Sequence, residues 1–155
     1  MPNEDLHVDI FQYSKLVGKP VIVSQKVVVF NSEGKVLTIR KSSTAPFHPN
    51  TWDLPGGELE YGEDAYEGIA RESFEETGLH IRECRPIDVE SSFYNTEYWV
   101  TIAYKAKCGR EDTVSLSYEH DAFKWVAGKE FMELDAAPYL KRFVRKAYDT
   151  EINKE

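Results

Sequence analysis

Three glutamates lie close together in one acidic stretch of the chain. Glu72, Glu75 and Glu76 occupy positions i, i+3 and i+4, and on a helix these positions project their side chains within one arc. The carboxylates repel one another unless a cation lies among them, and a hard divalent cation such as Mg²⁺ or Mn²⁺ suits oxygen ligands. Three acids on a helix are also typical of a solvated face. The spacing therefore indicates either a metal site or a charged surface, and the neighbouring residues decide between them.

The segment around the glutamates carries the signals of a helix. Asp64 and Glu67 form an N-cap and capping-box pair, and Gly78 supplies the C-terminal stop, so a helix is predicted over 64–77. Gly68, one turn before Glu72, is expected to keep the approach to the site open because it has no side chain. The buried stripe of this helix is expected to comprise Ala65, Ile69 and Ser73.

A longer pattern surrounds this helix. Eight of the nine specified positions of G-x5-E-x7-R-E-U-x-E-E-x-G-U, where U is a bulky apolar residue, are present between Gly57 and Leu79. This pattern resembles the Nudix box of the Nudix hydrolase family. The departure is Ser73, where the family usually has an aliphatic residue, and we expect its hydroxyl to bond to the Ile69 carbonyl. The matching residues are Gly57, Glu63, Arg71, Glu72, Glu75, Glu76, Gly78 and Leu79.

The resemblance implies an α/β fold, an α/β/α sandwich with a mixed β-sheet, in which the box forms a loop-helix-loop catalytic motif. It also implies a single domain over residues 1–155. Members of the family cleave a nucleoside diphosphate linked to another moiety, and they use Mg²⁺ or Mn²⁺. Carried over position by position, Glu72, Glu75 and Glu76 are expected to be metal ligands, with the Gly57 carbonyl as a further candidate.

The resemblance also implies roles for charged residues around the ligands. Arg71 and Glu63 match the pair that orients the carboxylates, and Arg71 lies four residues from Glu75, within reach of a forked hydrogen bond. Glu119 resembles an acidic residue that many members keep before the last helix, as a metal ligand or as the base that activates water. Glu75 and Glu119 therefore both remain candidates for that base, with an exposed loop acid as the other interpretation of Glu119. His120 is expected to face solvent or to be structural.

Substrate choice is expected to come from residues outside the box. Arg40 and Lys41, at a strand end, are candidates to face phosphates. The ADP-ribose enzymes of the family often carry a proline about fifteen to eighteen positions after the box, and residues 94–97 contain none. We therefore favour a nucleoside triphosphate or a related nucleotide, cleaved to a monophosphate and pyrophosphate. Aromatic candidates to stack a base, or alternatively to pack the core, are Phe47, Trp52, Phe93, Tyr94, Tyr98 and Trp99.

Other functions stay open at this point. Hydrolases of ADP-ribose, of nucleotide sugars and of dinucleoside polyphosphates share the family. A nucleotide-sensing module without catalysis is a further alternative, although such modules usually lose the acids that this box retains. An isoprenoid diphosphate isomerase would need a catalytic cysteine, and neither Cys84 nor Cys108 lies in a recognisable motif.

The elements that must position these residues follow from periodicity and turn signals. A hairpin turn at Asn31–Gly34 joins the first two strands, and the Pro and paired Gly of Trp52–Gly57 are expected to exclude a continuing strand or helix. The chain should close with a helix over Pro138–Tyr148. The predicted strands are Val21–Phe30, Val36–Arg40, Ile87–Phe93, Tyr98–Ala106 and Phe123–Val126.

Composition restricts the partners of the chain. Its 155 residues are 41% hydrophobic and carry a formal net charge of -8, which argues against binding a nucleic acid polymer by phosphate neutralisation. The segment Gly57–Leu79 alone contains eight acids and one base, so most of that charge belongs to the expected cation site. The N-terminal ten residues lack a signal pattern and no apolar run is long enough to span a membrane. We therefore expect a cytoplasmic protein with a small nucleotide substrate, and a homodimer is left open.

Overall fold

The computed structural model describes residues 21–94 and 96–152, within which seven strands form one mixed sheet with helices on both faces. The strands are β1 (Val21–Phe30), β2 (Val36–Lys41), β3 (Trp52–Asp53), β4 (Gly56–Glu58), β5 (Arg82–Tyr94), β6 (Glu97–Lys107) and β7 (His120–Val126). The helices are α1 (Ala65–Thr77), α2 (Gly128–Glu133) and α3 (Pro138–Ile152). The continuous part of the sheet has the order β3-β2-β1-β6-β5, with β4 beside β1 and β7 beside β2.

The central strand β1 has three neighbours. It runs parallel to β6 along its whole length, from Val21 opposite Tyr98 to Phe30 opposite Lys107. It pairs antiparallel with β2 at Phe30 and Val36, which confirms the predicted hairpin. The first half of β1 instead pairs with β4. This short pairing brings the start of the Nudix-like pattern against the middle of the sheet.

Both faces of β1 are buried, and alternation sends its side chains to two cores. Val28 and Phe30 join the core formed with α2 and α3, whereas Val27 and Val29 join the core formed with α1. Such near-continuous apolar strands are typical of sheets covered on both faces. The three layers confirm the predicted α/β/α sandwich.

Helix α1 ends where its capping residues predict. The Asp64 carboxylate accepts hydrogen bonds from the backbone N–H groups of Tyr66 and Glu67, both at 3.1 Å. Gly78 adopts a left-handed conformation with φ 73° and donates its N–H to the Phe74 carbonyl. The expectation for Ser73 is wrong: its hydroxyl is buried and has no hydrogen-bond partner within the described residues.

Gly68 has a packing role that its expected role at the site did not include. A Cβ at this position would lie 2.6 Å from a Leu59 methyl carbon, 2.9 Å from Gln25 Oε1 and 3.0 Å from Glu63 Oε1. The glycine therefore lets α1 pack tightly on β1 and on the loop before the helix. Its effect on the approach to the carboxylates stays a prediction.

Several element bounds differ from those predicted. Two short strands that the sequence did not predict, β3 and β4, lie on either side of Leu54 and Pro55, whereas no single strand continues through this segment, as expected. β5 begins before Pro86 because it is an edge strand with a register shift at that residue, where a missing N–H is tolerated. Helix α2 was not predicted at all.

No helix within residues 21–94 and 96–152 is long and apolar enough to cross a membrane. The N-terminal ten residues, and Asn95 in the expected substrate window, lie outside the described residues.

Candidate active site

Arg71 is the centre of an acidic cluster on α1. Its Nε and Nη2 donate to the two carboxylate oxygens of Glu63 at 2.7 and 3.1 Å. Nη1 reaches Glu75 at 3.2 Å, and Nη2 reaches Glu72 Oε1 at 3.2 Å. One guanidinium therefore fixes three carboxylates, and its fork holds Glu63 in two places at once.

Glu76 points inward from the same helix. Its side chain is buried, and its Oε1 accepts a hydrogen bond of 2.8 Å from the Gly56 N–H. Burial raises the pKa of Glu76 to about 8, with smaller contributions from the charges of Asp53 and Glu72, while Lys26 and the Gly56 N–H oppose the rise. A carboxylate that is costly to ionise in its pocket gains from a nearby cation.

Glu72 rests against a glycine. A Cβ on Gly57 would stand 2.6 Å from Glu72 Oε2 and 2.8 Å from Oε1, so only glycine leaves the carboxylate in this position. Burial raises the pKa of Glu72, and the charges of Glu75 and Glu119 add to the rise against the opposing effect of Arg71. Gly57 therefore forms a cradle in which the Glu72 carboxylate and the strand backbone of β4 are in direct contact.

The carboxylate oxygens of these glutamates are of the type that a hard divalent cation prefers, and the Gly57 carbonyl stays a predicted further ligand. Within residues 21–94 and 96–152, no three His, Cys, Asp or Glu side chains already stand as a metal ligand set. Glu75 is turned to Arg71, and Glu76 is turned to the Gly56 N–H. Convergence of the acids on one ion thus requires rotation about glutamate side-chain bonds, which staggered rotamers permit.

A cavity of about 500 Å³ adjoins this cluster, and we call it the acidic cavity. Glu76, Glu119, Lys26 and Lys41 line it, so the structure brings Glu119 to the same cavity as Glu76 although the two lie 43 positions apart in the sequence. His120 also lines it and is buried, which lowers its pKa to about 4. His120 therefore does not face solvent.

A second cavity of about 590 Å³ lies between the sheet and the start of α3, and we call it the aromatic cavity. Four of the six aromatic candidates line it, namely Phe47, Trp52, Tyr94 and Trp99. The two cavities share Lys26, Lys41 and Phe47 in their linings. The two cavities are therefore adjacent, with acids in one and aromatic rings in the other, and we refer to them together as the cleft.

Two predicted substrate residues lie elsewhere. Arg40 pairs with Asp121 at 2.8 Å and places its guanidinium 5.8 Å from the centre of the Trp52 ring. Tyr98 packs against Phe93 with the two rings tilted and their centres 5.0 Å apart, and it lines neither cavity. Alternation along β6 explains this, since Trp99 faces the cleft and its neighbour Tyr98 points to the opposite face.

Sequence reasoning missed a buried ion pair under the cleft. Lys26 Nζ lies 3.0 Å from Asp53 Oδ1, and it also donates to the Leu54 carbonyl at 3.2 Å. Burial would lower the pKa of Lys26, but the Asp53 carboxylate holds it above its usual range. A lysine inside the apolar run VIVSQKVVVF was the available signal, because a charge in a buried strand needs a partner.

The geometry of this cleft agrees with a comparison to known families. The family model described as a NUDIX domain matches residues 22–147. The chain belongs to the Nudix hydrolase family. Nudix hydrolases generally use divalent metal ions and act on small-molecule nucleotide substrates.

Individual relatives support the same assignment. A MutT-like protein of Streptomyces ambofaciens is 32% identical over 123 residues, which cover 79% of this chain and 74% of the relative. An m7GpppN-mRNA hydrolase of Xenopus laevis is 41% identical over 69 residues, 44% of this chain and only 23% of that relative. The crystal structure of the MutT protein from Methanosarcina mazei Go1 superposes with a TM-score of 0.72 at 27% identity, over 88% of this chain and 98% of that one.

Proposed function

We propose that this Nudix hydrolase cleaves a pyrophosphate linkage in a nucleoside diphosphate derivative, with a nucleoside triphosphate as the favoured substrate. The observation that carries the proposal is that the acidic and aromatic cavities are adjacent and share Lys26, Lys41 and Phe47 in their linings. A nucleotide with its base in the aromatic cavity has its phosphates beside Glu76 and Glu119. The products are a nucleoside monophosphate and pyrophosphate.

The acids of α1 would hold the divalent cation. Glu72, Glu75, Glu76 and Glu119 supply carboxylates and Gly57 a carbonyl, all hard oxygen donors suited to Mg²⁺ or Mn²⁺. When bound, the cation supplies a Lewis acid that offsets negative charge on the phosphate oxygens. The raised pKa of the buried Glu76 carboxyl and the glycine cradle around Glu72 support this assignment.

The remaining roles fall to positioning and proton transfer. Arg71, fixed by Glu63, orients Glu72 and Glu75, and the Lys41 ammonium group attracts the phosphate chain. As the oxygen of the attacking water bonds to phosphorus, Glu75 or Glu119 accepts its proton and pyrophosphate departs with the electrons of the broken P–O bond. The aromatic rings stack the base.

A product-release screen tests the proposal. With Mg²⁺ or Mn²⁺ we expect pyrophosphate from nucleoside triphosphates, and the other arms are ADP-ribose, nucleotide sugars and dinucleoside polyphosphates. E76Q should lower turnover by at least about 10²-fold, whereas E83Q, which changes a carboxylate paired with Lys107 outside the cleft, should not. Comparing E75Q with E119Q separates the base from a metal ligand, because loss of the base should lower kcat while the Mn²⁺ affinity measured by titration is retained.

Two outcomes would overturn the proposal. Turnover of ADP-ribose, nucleotide sugars or dinucleoside polyphosphates in preference to triphosphates refutes the favoured substrate. Nucleotide binding without hydrolysis of any compound on the panel refutes catalysis and indicates a sensing module.

A further inference from the structure

We propose that Glu90, held in place by Arg142, selects guanine as the base in the aromatic cavity. This inference rests on the proposed function, because it takes the occupant of the cleft to be a nucleotide. Glu90 on β5 pairs with Thr101 on β6, and Thr101 pairs in turn with Ser24 on β1. All three side chains line the aromatic cavity, so a carboxylate and two hydroxyl groups form a row across three adjacent strands.

Arg142 fixes the position of the Glu90 carboxylate. Its Nη2 lies 2.8 Å from Glu90 Oε2, and its Nε donates to Asp88 Oδ2 at 2.9 Å. Nη2 also donates to the Val89 carbonyl at 3.3 Å. One guanidinium from α3 therefore ties down the segment of β5 that carries Glu90. The carboxylate retains Oε1 and lone pairs on Oε2 for a ligand, and it needs no reorganisation to accept hydrogen bonds.

The position of Glu90 favours contact with a base over contact with a sugar. Lys26, which lines both cavities, lies on β1, and Glu90 lies two strands away on β5. At a strand spacing of about 4.8 Å, the two strands are separated by about 10 Å. In a nucleotide the ribose adjoins the phosphates, whereas the hydrogen-bonding edge of the base is the far end. Glu90 is therefore placed at the base edge when the phosphates lie near Lys26.

The chemistry of a carboxylate then discriminates among bases. An ionised carboxylate only accepts hydrogen bonds. Guanine presents two adjacent donors, N1–H and the N2 amino group, which match both oxygens of the Glu90 carboxylate. Adenine, cytosine and uracil each place an acceptor next to their donor, which would face a carboxylate oxygen. The Thr101 hydroxyl, next to Glu90 in the row, can donate to the guanine O6 acceptor.

Binding of nucleoside monophosphates tests this assignment without any turnover. Isothermal titration calorimetry should show GMP binding at least about 10-fold more tightly than AMP, CMP or UMP, since a good bidentate contact contributes that order of discrimination. In E90Q the amide offers one acceptor and one donor, so the GMP preference should fall about 10-fold and the relative affinity for AMP should rise. E83Q is the matched control on the same strand and should retain the preference.

Arg142 is a positioning residue, and its test is the base preference itself. R142M should reduce the ratio of GMP to AMP affinity even where its melting temperature matches that of the wild type, and R142K should restore part of it. Equal affinities for the four monophosphates in the wild type would overturn the proposal, and so would an E90Q variant with unchanged preference. A preference for ribo- over 2′-deoxynucleotides that is lost in E90Q would assign Glu90 to the sugar instead. Absence of triphosphate hydrolysis together with selective GMP binding would refute only the proposed function.

Discussion

Replacing Gly57 with alanine should move the Glu72 carboxylate while leaving the stability of the fold nearly unchanged. The new Cβ would stand 2.6 Å from Glu72 Oε2, whereas ordinary van der Waals contacts begin near 3.4 Å. The Glu72 carboxylate must therefore retreat by about 0.8 Å, the difference between these two distances. Gly57 does not have a positive φ, so its backbone can accept alanine without strain.

The expected changes in stability and in rate depend on which atoms the new Cβ displaces. The displaced atoms are the end of a flexible side chain, so the free energy of unfolding should change by less than about 1 kcal/mol. A misplacement near 1 Å at a catalytic group costs roughly 10²-fold in rate. G57A should thus unfold at nearly the wild-type temperature, bind Mn²⁺ more weakly, and hydrolyse its substrate roughly 10²-fold more slowly.

The neighbouring glycine provides a contrasting variant. Gly56 has φ 148°, and its Cβ would overlap the Gln25 carbonyl oxygen of β1, which cannot move aside without opening the β1–β4 pairing. G56A should therefore lower the melting temperature strongly. Calorimetric melting, Mn²⁺ titration and turnover are measured on both variants. If G57A keeps the wild-type turnover and Mn²⁺ affinity, the contact between Gly57 and Glu72 does not matter for activity. If G57A lowers the melting temperature as much as G56A does, Gly57 serves the packing of the fold and not the position of the carboxylate.

Three further variants address the interior. Burial raises the pKa of Glu76 to about 8 from an ordinary value of 4.5, so the stability that its protonated carboxyl contributes is lost as pH rises between these two values. With a chelator present to remove metal ions, E76Q should therefore have a higher melting temperature than the wild type at pH 9 but not at pH 4. D53N leaves the Lys26 ammonium buried without its partner and should lower the free energy of unfolding by roughly 3–5 kcal/mol. The double variant D53N/K26M should regain much of that free energy of unfolding, as measured by denaturant titration. S73A removes a buried, unpaired hydroxyl and should raise stability by about 1 kcal/mol; an unchanged or lower melting temperature would contradict this.

Local signals in the sequence were sufficient to predict helix α1 and its two ends. Asp64 and Gly78 lie at the two ends of α1, and each acts on backbone groups within four residues, so their spacing predicted the caps directly. The arc of Glu72, Glu75 and Glu76 follows from helical periodicity in the same way. Contacts of this range depend little on the rest of the fold.

Contacts between distant strands could not be predicted in the same way. The parallel pairing of β1 with β6 joins segments more than seventy residues apart, and no turn signal specifies it. That pairing decides which alternating face of β6 meets the cleft, so Trp99 and Tyr98 could not be told apart beforehand. The ion pair of Lys26 and Asp53 depends likewise on how Trp52–Gly57 folds back on β1.

The two ends of the cleft are formed by different layers of the sandwich. The helix acids come from α1 on one side of the sheet, whereas the aromatic cavity is built on the other side from β5, β6 and the start of α3. Substitutions around Glu90 or Trp99 can consequently alter which nucleotide is bound while residues 57–79 stay as they are. Proteins with this fold can therefore change their substrate through residues on one side of the sheet while the acids on the other side are kept.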